Sequence, residues 1–310
     1  MAQFNQQHVN DWREQGFAII ENFFTPEEIE PVRLEYERIY GLPEQRSAAG
    51  TVLDLKEDDS FGEFRPDQFR NLDTFPYPGS AELNLLSLHP SLIRFAEALL
   101  DVPRVHMYQS HTWAKYTGEA DYDQTFHCDF GNHTLVIPSE DVRYRAVDFI
   151  IYLTDVTDAH GALHYVTKPD ADEVLRGGSV SAGDKDQNAL LSKQRSAAGP
   201  SGTLVAHGLD TFHRGTNLTE TNGHRFTMTV GYKAVGNELV GYHVWQTGEN
   251  RPWPVVFESA SPEQLACLGI PLPGDEYWSE RTLKLSQSRW PNWNMARYFS
   301  AAGVANNHSA

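Results

Sequence analysis

A mainly β fold, an antiparallel sandwich or jelly roll with helices packed outside it, is the class predicted by the middle of this 310-residue chain. Two observations predict it. Residues 105–116, 146–156, 163–167, 202–207 and 225–233 are short segments rich in β-branched and aromatic residues, and Gly, Pro, Asn and Asp separate them. The chain also has no repeat period and no alternation of strands with helices, which argues against a parallel doubly wound sheet. Polar and apolar residues alternate most clearly in Arg225-Phe226-Thr227-Met228-Thr229-Val230, and Asn222-Gly223 just before them marks a tight turn.

The other elements follow in chain order. Residues 7–15 read as a short polar helix ending at Gly16, and Phe17-Ala18-Ile19-Ile20 as a brief strand. Thr25-Pro26-Glu27-Glu28 starts a helix: Thr25 caps, Glu28 completes a capping box, and Pro26 suits the first helical position. That helix runs to Gly41, with Pro31 a candidate kink. Residues 42–82 are polar and carry no clear period. Residues 91–100 form a helix with Leu92, Phe95, Ala96 and Leu99 on one face. Residues 168–201, with Gly177-Gly178, Gly183 and Gly199-Pro200, read as the longest low-order stretch, the kind of loop that is usually mobile or functional. The tail from about 250 holds Trp253, Trp278, Trp290 and Trp293 and a helix start at Ser261-Pro262-Glu263, and is expected to cap the β-core.

Composition removes several functions. Lys and Arg total 25 against 42 Asp and Glu, a net charge of −17, so neither a nucleic-acid backbone nor an anionic membrane surface is an expected partner. Cys128 and Cys267 are too few for a disulfide framework or a Cys-rich zinc site. The N-terminal residues have neither a basic nor an apolar signal region, and no stretch approaches ~18 uninterrupted apolar residues, the length that spans a bilayer. The expectation is one cytoplasmic globular unit over 1–310. It has a helical part at 1–102, a β-core at 103–235, a lid loop at 168–201 and a C-terminal cap at 250–310.

The chemistry is sought at Thr125-Phe126-His127-Cys128-Asp129. Residues two apart in an extended strand share a face, so His127 and Asp129 converge while Cys128 points away. They supply two-thirds of the 2-His-1-carboxylate set that holds non-haem iron with open positions. Alone, the pair is uninformative: 13 His and 20 Asp in this length lead to about one His-x-Asp by chance. Context raises its weight. A later strand at 203–206 leads to His213-Arg214-Gly215-Thr216-Asn217, and Arg225 begins the next strand. An Arg there has a use, because its planar fork holds a carboxylate such as the distal end of 2-oxoglutarate.

Taken with their order, these blocks resemble the phytanoyl-CoA dioxygenase family of Fe(II)/2-oxoglutarate-dependent oxygenases. The likeness covers Gly16–Ile20 with Thr25–Glu28, Gln109–Lys115, Asp148–Asp155 with Gly161-Ala162-Leu163, and His213–Asn217 with Arg225. It implies a double-stranded β-helix, a form of jelly roll. It implies that His127, Asp129 and His213 bind Fe(II), that Arg225 pairs with the distal carboxylate of 2-oxoglutarate, and that Thr216, Lys115 and Gln109 are further contacts for co-substrate or substrate. It implies hydroxylation of a small molecule by dioxygen, with 2-oxoglutarate converted to succinate and carbon dioxide. Related halogenases carry a small residue in place of the carboxylate; Asp129 is kept here, which favours hydroxylation. The chain departs from the family at Val166-Thr167-Lys168-Pro169, where Pro-Gly-Ser-His is common, so the following loop is expected to differ.

Two other readings compete. A cupin-like metal enzyme uses the same ligands without 2-oxoglutarate, but gives Arg225 no task. A catalytically silent binding protein on the same fold has no use for an intact ligand set. His207, close to His213, is the rival third ligand, and the other histidines are expected to be structural. Tyr108 and Trp113 suggest an apolar or ring-bearing substrate. A CoA thioester is not favoured, because no basic cluster awaits its phosphates.

Overall fold

The computed structural model describes residues 3–44, 70–118, 123–177, 179–242 and 251–305. Much of the 42–82 stretch, and His243, lie outside them. Six antiparallel strands form the larger sheet, in the order β1 (Phe17–Ile20), β7 (Leu204–Gly208), β4 (Ala146–Tyr152), β9 (His224–Ala234), β3 (Val105–Tyr116) and β2 (Arg70–Leu72). A smaller sheet has the order β6 (Arg195–Ser196), β5 (His164–Tyr165), β8 (His213–Arg214). It continues through a single antiparallel bridge between His213 and His127.

The alternation read in the sequence sorts the large sheet into two unlike faces. Phe226, Met228, Val230 and Tyr232 of β9, with Val147, Phe149 and Ile151 of β4, point into the main apolar core. On this face pack α1 (Gln6–Gln15), α2 (Pro26–Tyr40), α3 (Ala81–Leu86) and α4 (Pro90–Leu100). Leu92, Phe95, Ala96 and Leu99 of α4 are all buried, and Phe95 stacks on Phe149 with ring centres 5.6 Å apart. Burying such side chains contributes roughly 1.5–3 kcal/mol each. Residues of the opposite parity, among them Gln109, Lys115, Asp148, His207 and Arg225, are polar yet buried. The smaller sheet lies against this second face, where Phe17 of β1 stacks on Tyr165 of β5 with centres 4.8 Å apart.

Several expectations change. Helix outweighs strand, 38% against 20% of the described residues, so the fold is mixed rather than mainly β. Residues 168–201 are not low-order: they form α6 (Lys168–Leu175), α7 (Asp184–Lys193) and β6. Thr167 caps α6 by accepting from the Asp170 amide, with Pro169 in the first turn, and Asp186 accepts from the Gly183 amide at the start of α7. The capping signals there outweigh the Gly-rich composition. The departure at residues 166–169 is therefore a helix start. α2 continues through Pro31. The tail forms α8 (Trp253–Ser259), α9 (Pro262–Ala266), α10 (Glu280–Arg289) and α11 (Ala296–Ala301). Its aromatics join the main core, with Phe257 stacked on Trp290 at 4.6 Å and Trp253 edge-on to Phe75 at 5.8 Å. Among the described residues no helix is long and apolar enough to cross a membrane.

Candidate metal centre

The two ends of the site motif meet across one backbone ladder. His127 and His213 are direct antiparallel partners, each amide donating to the other's carbonyl at 3.0 Å. Residues directly opposite in such a pair carry their side chains on the same side. Their rings accordingly lie 4.6 Å apart, and Tyr165, paired with His213 on the other flank, packs its ring 5.6 Å from that of His213. Asp129 is not in a long strand as expected. It has helical dihedrals and begins the single turn α5 (Phe130–His133). That turn still brings its carboxylate to the two rings: His127 Nε2 is 3.5 Å from Oδ1 and His213 Nε2 is 3.3 Å from Oδ2. One ligand atom from each of the three lies within 4.8 Å of the others.

Hydrogen bonds on the far side of each ring suit these groups to a metal. His127 Nδ1 lies 2.9 Å from Thr125 O, and His213 Nδ1 lies 3.0 Å from Thr211 O. A carbonyl only accepts, so each Nδ1 carries a proton, which leaves each Nε2, the ring nitrogen nearest Asp129, as the atom a metal would take. Burial opposes charge on Asp129, but His213, His207 and His127 outweigh it and hold the carboxyl well below its usual range. Two imidazole Nε2 atoms and one carboxylate make a donor set that fits a divalent ion such as iron. Cys128 packs away from this centre with Phe126, Val166 and Phe212, as expected.

His207 stands outside the three-atom group. Arg225 and Lys115 face each other across the β3–β9 pair and are 5% and 3% exposed. Arg225 donates to Gly161 O, and Lys115 donates to Thr216 O at 3.0 Å, while Thr216 Oγ1 donates to Ala162 O at 2.8 Å. Gly161 to Tyr165 links the two centres, receiving Arg225 and Thr216 at one end and packing on His213 at the other. Gln109 stands apart from this group. Its amide donates to Asp148 Oδ2 at 2.8 Å, while Tyr108 donates to Asp148 Oδ1 at 2.6 Å.

Sequence reasoning missed Asp148 and His133. Asp148, Asp129 and His133 also bring ligand atoms within 4.8 Å of one another. Burial pushes the Asp148 carboxyl up, and Tyr108 and Gln109 satisfy it. A carboxylate inside the apolar run Ala146-Val147-Asp148-Phe149 was the available signal.

A family model described as phytanoyl-CoA dioxygenase (PhyH) matches residues 12–225, more than half of the chain. No curated protein sequence matches. Among solved structures, the fold is similar to the non-heme alpha ketoglutarate dependent carbocyclase SnoK from nogalamycin biosynthesis. That match has 20% identity and a TM-score of 0.54 over 74% of this chain and 84% of that one. It is also similar to the epimerase SnoN in complex with Fe3+, alpha ketoglutarate and nogalamycin RO (14%, 0.54, 79% and 96%). HygX from Streptomyces hygroscopicus, with nickel, 2-oxoglutarate and hygromycin B bound, is a third (16%, 0.52, 74% and 88%).

Proposed function

The chain belongs to the phytanoyl-CoA dioxygenase family, and on that premise we propose that it is an Fe(II)/2-oxoglutarate-dependent dioxygenase hydroxylating a small molecule. The observation that carries the reading is the pair of pre-set imidazoles, with both Nδ1 atoms bound to backbone carbonyls and both Nε2 atoms facing Asp129. His127, Asp129 and His213 are assigned as the iron ligands. Arg225 is assigned to the distal carboxylate of 2-oxoglutarate, with Lys115 and Thr216 beside it. The two sheets are read as the faces of a jelly roll enclosing the site, and the unpaired Cys128 and Cys267 fit a reducing cytoplasm.

Iron with 2-oxoglutarate and dioxygen supplies oxidative decarboxylation, to succinate and carbon dioxide, coupled to cleavage of a substrate C–H bond. The chain's own residues do the rest. Arg225 exchanges the Gly161 carbonyl for a carboxylate, gaining charge-assisted bonds in a site where burial opposes the guanidinium charge. Lys115 adds positive charge from the neighbouring strand. Tyr152 and Tyr165, both fully buried, keep water from the wall between the two centres. Tyr108 is wholly buried with its hydroxyl held by Asp148 and so offers a substrate no surface, while the exposed Leu135, Val136 and Ile137, which follow Asp129 in the chain, suit an apolar or ring-bearing one. Residues 168–201 are assigned as cover for the site, because Gln187 of α7 bonds both backbone groups of Phe126, next to His127.

Anaerobic Fe(II) with 2-oxoglutarate is expected to give a visible charge-transfer band. Arg225→Gln should require at least about tenfold more 2-oxoglutarate to reach it, since one charged bidentate contact is lost. A folded, iron-loaded chain with no band overturns the reading. The mass of the product then tests the outcome: one added oxygen supports hydroxylation, an unchanged mass means epimerisation, and the loss of two hydrogens means ring closure or desaturation.

A further inference from the structure

His207 is the penultimate residue of β7, opposite Asp148 of β4, and is 2% exposed. Its Nδ1 lies 3.1 Å from the Tyr165 hydroxyl. Its Nε2 is buried without a hydrogen-bond partner and lies 3.9 Å from Asp129 Oδ2. The ring is 4.9 Å from that of His213, and Tyr165 packs on both. A ring nitrogen buried without a partner forgoes the bond that water would have made with it, so a residue kept this way next to Asp129 calls for an explanation.

The proton positions follow from the neighbours. A phenol keeps its proton at neutral pH and can donate it to the Nδ1 lone pair, which leaves the imidazole proton on Nε2. In the opposite tautomer, Nδ1–H would donate to the phenol oxygen and a lone pair on Nε2 would face the Asp129 carboxylate, which is repulsive. An Nε2 that carries a proton cannot ligate a metal, but it can donate to a carboxylate oxygen. The gap is about 1 Å too long for a hydrogen bond as it stands.

We infer that His207, its tautomer set by Tyr165, is a positioning residue that donates Nε2–H to the Asp129 oxygen the metal does not take. It thereby keeps the carboxylate to one ligating oxygen and leaves the remaining coordination positions for co-substrates. The inference rests on the assignment of His127, Asp129 and His213 as metal ligands. It explains why a third histidine sits beside the ligand set without joining it.

The test is Co(II) affinity of the full chain, measured by calorimetry together with the visible spectrum of the bound ion, without 2-oxoglutarate. Loss of such an outer contact typically weakens metal binding 10–100-fold. His207→Phe, which fills the ring volume without a donor, is expected to weaken Co(II) binding by about that factor and to change the spectrum. His207→Gln, which restores an N–H near the Nε2 position, should return to within a few-fold of wild type. Tyr165→Phe should bind Co(II) several-fold more weakly, with the fold checked by circular dichroism.

Wild-type affinity in His207→Phe overturns the inference. So does a loss as complete as that of His213→Ala, which would make His207 a ligand. Should His207→Phe not fold, unchanged affinity in Tyr165→Phe overturns it as well. Because no 2-oxoglutarate is present, a missing charge-transfer band removes the oxygenase reading without altering this pattern.

Discussion

A methyl group added at Gly231 would meet Asp148 Oδ1 at 2.5 Å, Tyr108 Cε1 at 2.5 Å and Gln109 Cγ at 2.6 Å. All three belong to one buried, mutually hydrogen-bonded group that cannot give way without breaking a bond. Gly231→Ala is therefore expected to destabilise by about 1–3 kcal/mol, the usual range for overpacking a filled interior. Urea unfolding measures it, and an unchanged midpoint would mean that the Asp148 group relaxes freely. At this scale the sequence was only partly legible. His127, Asp129, His213 and Arg225 stand in motifs whose order carries meaning. Asp148 and His207 are single polar residues inside apolar strands, and their place beside the site comes from β4–β7 pairing across some sixty positions of chain.

Elements with local signals appear where those signals place them. β1 and β3 match their predicted spans because both carry uninterrupted apolar or alternating runs, and α2 begins at its predicted cap. Thr25 Oγ1 accepts from the Glu28 amide while Glu28 accepts from the Thr25 amide at 2.8 Å. Thr25→Ala should cost about 1 kcal/mol and lower the melting temperature by a few degrees, with the metal centre untouched. Calorimetry of the variant checks it. α6 and α7 were harder to see, because Gly and Ser around them suggest a loop while their caps, Thr167 and Asp186, are one residue each. The short strands β5, β6 and β8 have only two residues apiece, too few for any period to register.

Across the molecule, the antiparallel order was legible in the spacing of apolar runs, while the share of helix was not. The tail helices are short, and the aromatics on and between them meet in space rather than at helical intervals. Phe257, Trp278, Trp293 and Tyr298 form one cluster with ring centres 4.8–6.1 Å apart, within the same core that α4 and the large sheet share. Trp293→Ala is expected to remove roughly 3–5 kcal/mol. If the tail is integral to one unit, the whole chain should still melt in a single, lowered transition by calorimetry; a separate early transition would make the tail an independent body. The bridge that pairs His127 with His213 has a consequence of its own. Two of the three proposed ligands are spaced by reciprocal main-chain bonds that form with the sheet, so the cost of assembling the site is met during folding rather than at ion capture. The site is preorganised. A chelator should strip the metal and leave the circular dichroism spectrum intact, and the empty protein should reload without a refolding step, in contrast to small domains whose chains take shape only around their ion.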